Sequence, residues 1–458
     1  MIQSVAHPRR LILALIAIVL LGFVVRVLTA HFIATHLNDP GWFQSGSFAI
    51  FDRQAQNALD GKESFFWISD SSRTDLIEYP PGNKFWIGFI YAVTGERSAL
   101  SVQRFQLFAD SLSILLIIGI GISAFSWNTG LIAGLLAALS PMLALYGVTP
   151  GADAVTSWFV LASVWALIVC CKRKSVGYAI LAGVLLGLAC WLRVNPLFLF
   201  GAWFLGLLLF LKAPLKKRLQ LAAVASLASI LIIAPVVVRN LIVFYPQVAP
   251  TGLGIGWNFL AGIGETERGA EFGAPCCDQL IIEQERAALG LPPDAPLGLV
   301  YPDGITRDRQ RGQRAIAIIK AHPIWYAGVM ARRIAGHLKL AGKPVPSMGS
   351  TGINVTSQKS LPSNLQRFPF SSAVNALGMV QSVLRYLALP LILVGIWFGF
   401  RQSIEMSGVL TATVVYYLAT LSVAHSEVRY ALPMHGIFCV FAAVAVFRVI
   451  PKRPTTDF

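Results

Sequence analysis

The sequence predicts an all-α polytopic integral membrane protein, built as a bundle of about ten transmembrane helices with further helices along the membrane interface in its outer loops. Of the 458 residues, 55% are hydrophobic and only 13% are charged, about half the charged share of a soluble domain. The mean hydropathy is +0.66. Long apolar runs recur along the chain, each close to the ~20 residues that a helix needs to cross a bilayer.

Ten apolar runs are predicted to span the membrane. The first follows a basic N-terminus and is interpreted as an uncleaved first helix, because its apolar run is long and no small-x-small cleavage site follows it. The ten predicted spans are 11–29, 103–126, 129–147, 154–171, 176–192, 195–212, 219–242, 383–400, 405–423 and 430–449.

An eleventh apolar run, 85–94, is about half the length of a span. The positive-inside rule places the basic clusters in the cytoplasm: Arg9-Arg10, Lys172-Arg173-Lys174, Lys216-Lys217-Arg218, Arg401 and Lys452-Arg453. An even number of crossings must then separate Arg10 from Lys172, and the ten spans satisfy this condition only if 85–94 does not cross. We therefore predict an amphipathic or re-entrant helix at the outer interface.

The same parity predicts which loops share the outer side, namely 30–102, 148–153, 193–194, 243–382 and 424–429. It divides the chain into a transmembrane region that includes the first outer loop, 1–242, an outer loop region, 243–382, and C-terminal helices with a short cytoplasmic tail, 383–458. Each long outer loop contains a helical pattern. The pattern in 312–340 is basic and amphipathic, is interrupted at Pro323, and is predicted to lie on the membrane surface.

The net charge of +15 is explained by cytoplasmic loops and anionic lipid headgroups. Nucleic acid is discounted as a partner because no basic, aromatic-interleaved soluble domain is present. Four of the six cysteines lie in apolar runs, and the remaining two, Cys276 and Cys277, are adjacent, which is poor geometry for an ordinary disulfide. No cysteine spacing of the metal-binding kind is present.

Charged residues beside apolar spans on the predicted outer side are the candidate functional residues, because charge at that depth is costly unless it is used. A carboxylate there could act as a general base toward a hydroxyl or amine. Arginines at the same depth could hold a phosphate. Together they describe group transfer from a lipid phosphate. The residues are Asp39, Asp52, Glu78, Asp153, Arg193, Arg239, Glu427 and Arg429.

Each of these residues also has a structural interpretation, which the sequence leaves open. Asp52 could be a solvated helix residue, and Glu78 could pair with Lys84 or Arg73. Asp153 could cap the helix that starts near residue 154. The remaining alternatives are membrane-interface anchoring for Arg193 and Arg239, local pairing with His425 or Glu427 for Arg429, and a turn before proline for Asp39.

The order of several short motifs resembles a known family. They are Phe51-Asp52, Ala58 to Gly61, Tyr79 to Gly82 leading into the helix that ends at Thr94-Gly95, Arg104, Leu139-Ser140-Pro141, Asp153, Gly187 to Pro196, Ala234-Pro235, Arg239-Asn240, Gly252 to Gly264 and Arg429 to Pro433. In this order they resemble the GT-C membrane glycosyltransferases, which include the protein O-mannosyltransferases and the aminoarabinose transferase that acts on lipid A.

The resemblance implies a GT-C-like bundle that transfers a sugar, with inversion, from a polyprenyl-phosphate donor to a glycan, lipid or protein acceptor at the outer face of the cell membrane. It makes Asp52 the catalytic base, with Glu78 lining the same cavity. It makes Arg193, Arg239 and Arg429 candidates for the donor phosphate, with Tyr79 and Lys84 as further substrate-binding residues. Glu78 and Asp153 are candidate ligands of a divalent cation, and the resemblance leaves open whether the protein needs this cofactor.

The chain departs from the family pattern in two places. Arg53 follows Asp52 where some relatives have Glu, which keeps Asp39 as a rival base. No soluble domain follows the last predicted span, so loop 243–382 is expected to recognise the acceptor. Two other classes of protein stay open. One is a flippase for lipid-linked sugars, although transporters often contain inverted repeats and the sequence shows none. The other is an enzyme of the O-antigen ligase or polymerase kind.

Overall fold

A computed structural model describes residues 8–34, 37, 47–338, 371–425 and 427–449. These residues form helices joined by loops of varied length and contain no β-strand. The α-helices are α1 (Pro8–Ala34), α2 (Ser47–Leu59), α3 (Gly82–Thr94), α4 (Ala99–Ala124), α5 (Trp127–Leu139), α6 (Pro141–Val148), α7 (Ala152–Arg173), α8 (Val176–Leu192), α9 (Leu199–Phe210), α10 (Leu215–Val243), α11 (Ile255–Gly264), α12 (Asp278–Ala288), α13 (Gly304–Ala321), α14 (Pro323–Leu338), α15 (Ser371–Gln402), α16 (Ile404–Val423) and α17 (Leu432–Val449).

The predicted class, a helical multi-pass membrane protein, is confirmed, but the predicted number of ten spans is not. Within the described residues, six helical segments are long and apolar enough to cross a membrane, or seven if one bent pair counts as a single span. Three further apolar helical segments coincide with predicted spans but have fewer than 18 residues, namely Val176–Leu192, Leu199–Phe210 and Tyr386–Gln402, the last being the apolar part of α15.

The predicted span 129–147 is wrong as one continuous helix. The structure divides it into α5 and α6, which meet at an angle of 61°. Proline disfavours helical backbone in the residue before it, and Ser140 accordingly has φ −65° and ψ 118°. The Ser140 hydroxyl caps the new helix by accepting a hydrogen bond from the Leu143 amide at 3.3 Å. The Leu-Ser-Pro motif is therefore a bend within the apolar region.

The two helices expected in the first outer loop are present as α2 and α3. Their facing sides form one buried cluster that includes Phe51, Ala55, Ile87 and Tyr91. The 13 residues of α3 reach about 20 Å at 1.5 Å per residue, which is too short to cross a bilayer. The helix between Pro81 and Gly95 thus fits the parity of the basic clusters, while its position along the interface stays a prediction.

Close backbone contacts hold the apolar helices together. A Cβ on Gly183 would lie 2.2 Å from the Ala225 carbonyl oxygen, and one on Gly187 would lie 2.5 Å from Cβ of Ile232. Helix α8 therefore packs against α10 through small residues, as membrane helices commonly do. A single large core of apolar side chains continues from these helices through α7 and α9 to α16 and α17.

The two long loops that are predicted to lie on the outer side are joined to each other. The Leu253 amide donates to the Ile77 carbonyl at 2.9 Å, and the Gly304 amide donates to the Thr74 hydroxyl at 3.2 Å. The helical pattern predicted for 312–340 is interrupted at the expected place, because α13 ends at Ala321 and α14 begins at Pro323. The location of these helices on the membrane surface and the three-part division of the chain stay predictions.

Helix α7 separates two sets of charged residues. Asp153 lies in its first turn, and Lys172 and Arg173 lie in its last turn. The helix has 22 residues, or about 33 Å, which is close to the hydrocarbon thickness of a bilayer. At the second end Lys174 pairs with Glu405 at 2.6 Å. The acidic candidate and the basic cluster are therefore at opposite ends of one apolar helix, as the predicted topology requires.

Candidate active site

The Tyr-Pro-Pro-Gly segment packs against the end of α8. A Cβ on Gly82 would lie 2.5 Å from the Trp191 carbonyl oxygen, so only glycine fits this approach without displacing backbone. The next residue, Asn83, donates its side-chain amide to the Leu192 carbonyl at 2.8 Å. The segment is thereby fixed beside Arg193, the residue that follows α8.

Arg193 and Asp153 form a two-point ion pair. Nε of Arg193 lies 2.9 Å from Oδ1 of Asp153, and Nη2 donates to Oδ2 at 3.0 Å. The Arg193 guanidinium also lies 5.7 Å from the ring centroids of both Tyr79 and Tyr430, and 6.0 Å from that of Phe51. Arg193 is buried, so the interpretation of this residue as a membrane-interface anchor is wrong.

Arg429 completes this group from the other end of the chain. Its Nη2 donates to Glu427 at 2.6 Å, and its Nε lies 3.9 Å from Oδ2 of Asp153. That Nε is buried and makes no hydrogen bond within the described part of the chain, although buried donors normally have a partner. The predicted pairing of Arg429 with Glu427 is confirmed. The Arg429 Nε, which lies beside Asp153, is left without a hydrogen-bond partner among the described residues.

The prediction that Asp153 caps a helix is wrong. Helix α7 begins at Ala152 with Gly151 as its N-cap, and no side chain forms a cap hydrogen bond there. The carboxylate instead lies in the first turn, where negative charge is stabilised by the helix dipole, and faces Arg193 and Arg429. We call Asp153, Arg193 and Arg429 the arginine cluster.

Lys84, two residues after the Tyr-Pro-Pro-Gly segment, and Arg239 form a second basic group, because the two cations are close enough for the charge of Arg239 to act on Lys84. Nζ of Lys84 donates to the Ser64 carbonyl at 3.1 Å. Arg239 donates to the Phe66 carbonyl at 2.8 Å and to the Asn240 side chain. Both cations are only 2% exposed, so Arg239 is not a membrane-interface anchor either. Burial, followed by the charge of Arg239, lowers the pKa of Lys84 to about 8.

Asp52 lies on α2, half-buried between two donors. It accepts a hydrogen bond from the Tyr91 hydroxyl at 2.5 Å and one from the Gln56 amide at 2.8 Å. It is thus an oriented carboxylate, not a freely solvated one. The neighbouring Phe51 touches Tyr79 and the Arg193 guanidinium, which connects α2 directly to the arginine cluster. Asp39, the rival base, lies outside the described residues.

Glu78 is a mostly buried carboxylate between the loops. Burial, and next the charge of Asp278, raises the pKa of Glu78 to about 7, against the lowering influences of a hydrogen bond with Tyr79 and of the charge of Arg53. The two partners considered for it from the sequence have other contacts. Lys84 donates to Ser64, and Arg73 pairs with Asp75 and Glu63. Glu78 can therefore exchange a proton near neutral pH, which suits an acid or a base.

The predicted cation site has little support in these contacts. Both Asp153 oxygens face guanidinium groups, which compete with a metal ion for the carboxylate. Among the residues that the structure describes, no group of three or more His, Cys, Asp or Glu side chains is arranged to hold a metal. We therefore derive no chemical step through a cation.

The sequence did not identify every charged group at the site. The missed residues include Asp278 and Glu265, whose only signal was their location in a predicted outer loop. Burial raises the pKa of Asp278, and its carboxylate interacts electrostatically with His425, Glu427 and Glu265. These contacts join distant segments, so no local spacing could have revealed them.

A buried ion pair inside the apolar helices was missed as well. Nε of Arg26 on α1 lies 2.5 Å from Asp110 on α4, and the Trp158 indole donates to the same carboxylate at 2.6 Å. The signal was available, since charged residues within apolar spans are rare and usually paired.

Comparison with known proteins supports the resemblance. Residues 78–238 match the family model described as dolichyl-phosphate-mannose-protein mannosyltransferase. The match confirms the predicted resemblance to GT-C glycosyltransferases and supports a transferase that spans the membrane several times. It includes Glu78, Tyr79, Lys84, Asp153 and Arg193. No curated protein sequence matches the chain.

Two solved structures are similar over nearly the whole chain. The oligosaccharyltransferase AglB from Archaeoglobus fulgidus, in complex with an inhibitory peptide and a dolichol-phosphate, is 15% identical over 93% of this chain and 50% of its own, with a TM-score of 0.49. ArnT from Cupriavidus metallidurans, bound to undecaprenyl phosphate, is 15% identical over 95% of this chain and 77% of its own, with a TM-score of 0.38. The chain spans about half the length of the oligosaccharyltransferase.

Proposed function

We propose that the protein transfers a sugar from a polyprenyl-phosphate donor to an acceptor at the outer face of the cell membrane. The observation that carries the proposal is the arginine cluster, which lies at one end of an apolar helix and touches the helix that bears Asp52. A carboxylate base beside buried cations is what transfer from a lipid phosphate needs. The family match, to mannosyltransferases named for a dolichyl-phosphate donor, supports the same donor class.

The reaction is a single displacement with inversion. An acceptor hydroxyl attacks the anomeric carbon, the bond from that carbon to the phosphate oxygen breaks, and the polyprenyl phosphate leaves with the bonding electrons. Asp52 accepts the hydroxyl proton, and its hydrogen bonds from Tyr91 and Gln56 hold the carboxylate in one orientation. Glu78 and Asp39 are the other carboxylates that we propose for acid or base roles.

The cations bind the phosphate that leaves. Arg429 has a buried Nε without a hydrogen-bond partner among the described residues, and Arg193 is held beside it by Asp153. Lys84 and Arg239 form the second cationic group, and a phosphate near Lys84 would stabilise its protonated form. Tyr79 packs between Phe51 of α2 and Arg193, and these contacts support its proposed role in binding the substrate between the base and the cations.

The acceptor side is formed by the outer loops. Loop 243–382 is the region that we propose for acceptor recognition, because its described part joins the first loop through Thr74 and Ile77. A glycan, a lipid or a protein hydroxyl all fit the proposed chemistry. The predicted divalent cation stays a prediction, since no step above depends on it.

Asp52→Asn is expected to lower the rate of sugar transfer by at least about a hundredfold, because general base catalysis typically contributes 10²–10⁴-fold. The measurement is transfer of radiolabelled sugar from polyprenyl-phosphate donors to envelope acceptors by the purified protein in lipid. Asp60→Asn is the matched control. Asp60 comes directly after α2, the helix that contains Asp52, and pairs at the surface with Arg97 and Lys62. Full activity of Asp52→Asn, with a large loss in Asp39→Asn, would move the base to Asp39.

A further inference from the structure

Three charged side chains outside these roles connect the outer loops to the arginine cluster. Nδ1 of His425 lies 2.6 Å from Oε1 of Glu265, and its Nε2 lies 3.6 Å from Oε1 of Glu427. The His425 amide also donates to the Asn258 carbonyl at 2.7 Å. The imidazole is thus held between the end of α11 and the turn before α17.

The chain of contacts continues from Glu427 to the proposed phosphate site. Oε1 of Glu427, the oxygen that faces His425, also accepts the 2.6 Å hydrogen bond from Arg429. Arg429 therefore has one carboxylate on each side, Glu427 and Asp153. Two carboxylates beside one guanidinium would cancel the positive charge that an incoming phosphate needs.

The charge of His425 changes this balance. Burial alone would lower the pKa of His425, but Glu265 and Glu427 raise it to about 9, so the ring carries a charge at neutral pH. The acidic groups that face it are Glu265 from the end of α11, Glu427 from its own loop and Asp278 from the first turn of α12. His425 and Arg429 in turn hold the pKa of Glu427 below its ordinary value, although burial acts to raise it.

We propose that Glu265 and His425 are positioning residues for the phosphate site, in which the charged imidazole neutralises Glu427 and leaves Arg429 available to the donor phosphate. Asp278 also faces His425, but burial raises its pKa and so favours its neutral form. With His425 charged, the three cations Arg193, Arg429 and His425 balance the three remaining carboxylates Asp153, Glu427 and Glu265. With His425 neutral, the same six groups carry a net negative charge, which repels a phosphate. The inference deepens the proposed function and rests on it for the identity of the ligand.

Binding of farnesyl phosphate to the full-length protein in detergent, measured by calorimetry from pH 7 to pH 10, tests the proposal. His425→Gln is expected to weaken binding about tenfold at pH 7. The wild type is expected to weaken as the pH rises through about 9, because His425 then loses its proton. Glu265→Gln keeps the imidazole but removes one of its carboxylates, so the weakening should begin at a lower pH.

Two further variants separate positioning from simple loss of structure. Glu427→Gln introduced into His425→Gln removes the carboxylate that His425 neutralises, and it should restore most of the lost affinity. Glu267→Gln, at an exposed position paired with Arg332, is the matched control and should bind as the wild type does. Lys84 also titrates in this range, but its contribution is common to all the proteins and cancels in the comparison.

The outcomes are distinct for the two proposals. Unchanged farnesyl phosphate affinity and an unchanged alkaline weakening in His425→Gln would overturn the positioning inference and leave the transferase proposal standing. Binding that depends on His425 as expected, in a protein that transfers no sugar from any polyprenyl-phosphate donor, would support the inference while contradicting the proposed reaction.

Discussion

At the scale of single residues, burial decides which interpretation of each charged side chain holds. Arg193 and Arg239 are 7% and 2% exposed, and each has a defined partner, so neither serves as a membrane-interface anchor. The sequence identified Asp153, Arg193 and Arg429 as outer-side charges, and the structure brings these three together. It could not identify their pairing, because the contacts join residues that are far apart in the chain.

Glu78 should make the stability of the protein depend on pH. Its pKa of about 7 in the folded state lies above the ordinary value of 4.5, so the folded protein holds this proton more tightly than the unfolded chain. The free energy of unfolding should therefore fall as the pH rises from about 4.5 to 7. A shift of this size corresponds to at most roughly 3 kcal/mol.

The measurement is the thermal midpoint of unfolding in detergent across this pH range. Glu78→Gln cannot ionise, so its midpoint should exceed that of the wild type by several degrees at pH 8 and match it at pH 4. Glu283→Gln, at an exposed position on α12, is the control and should follow the wild type. A constant difference between Glu78→Gln and the wild type at all pH values would contradict the raised pKa.

At the scale of elements, the site depends on how α3 meets α8. The sequence predicted a short helix after Tyr-Pro-Pro-Gly, and its existence is confirmed. The sequence could not explain why residue 82 is glycine, because the group that leaves no room for a Cβ is the backbone of Trp191, more than a hundred positions away. The bend at Ser140-Pro141 was missed for a related reason, because hydropathy reports the total apolar length and not its direction.

Gly82→Ala should destabilise the protein by about 1–3 kcal/mol, the typical cost of inserting a methyl group into a closely packed site. The new Cβ would meet the Trp191 carbonyl at 2.5 Å, and backbone on both sides would have to move. Transfer activity should fall as well, because Asn83 and Lys84 follow directly. The measurements are the thermal midpoint and the transfer rate.

Gly201→Ala is the control for this change. Gly201 lies in the first turns of α9, and a Cβ there would have no neighbour within 4 Å. Alanine has the higher helix propensity, so this variant should be as stable as the wild type or slightly more stable. Equal effects of the two substitutions would show that the contact between α3 and α8 does not restrain the segment.

At the scale of the whole molecule, the pattern of apolar runs and basic clusters predicted most of the architecture. Each of the ten predicted spans coincides with an apolar helix or a bent pair, though only six or seven have the length and composition of a span. Helix α7 carries Asp153 at one end and Lys172 and Arg173 at the other. The arrangement of the two long loops, 30–102 and 243–382, against each other depended on tertiary contacts, and no periodicity predicted it.

The measurement that tests the central claim most directly follows a polyprenyl-phosphate sugar in proteoliposomes that contain the purified protein and crude envelope acceptors. We expect release of free polyprenyl phosphate in step with the labelling of an acceptor, and loss of both in Asp52→Asn. Movement of the intact donor between leaflets without any release, unaffected by Asp52→Asn, would contradict the account and make the buried cations part of a translocation path.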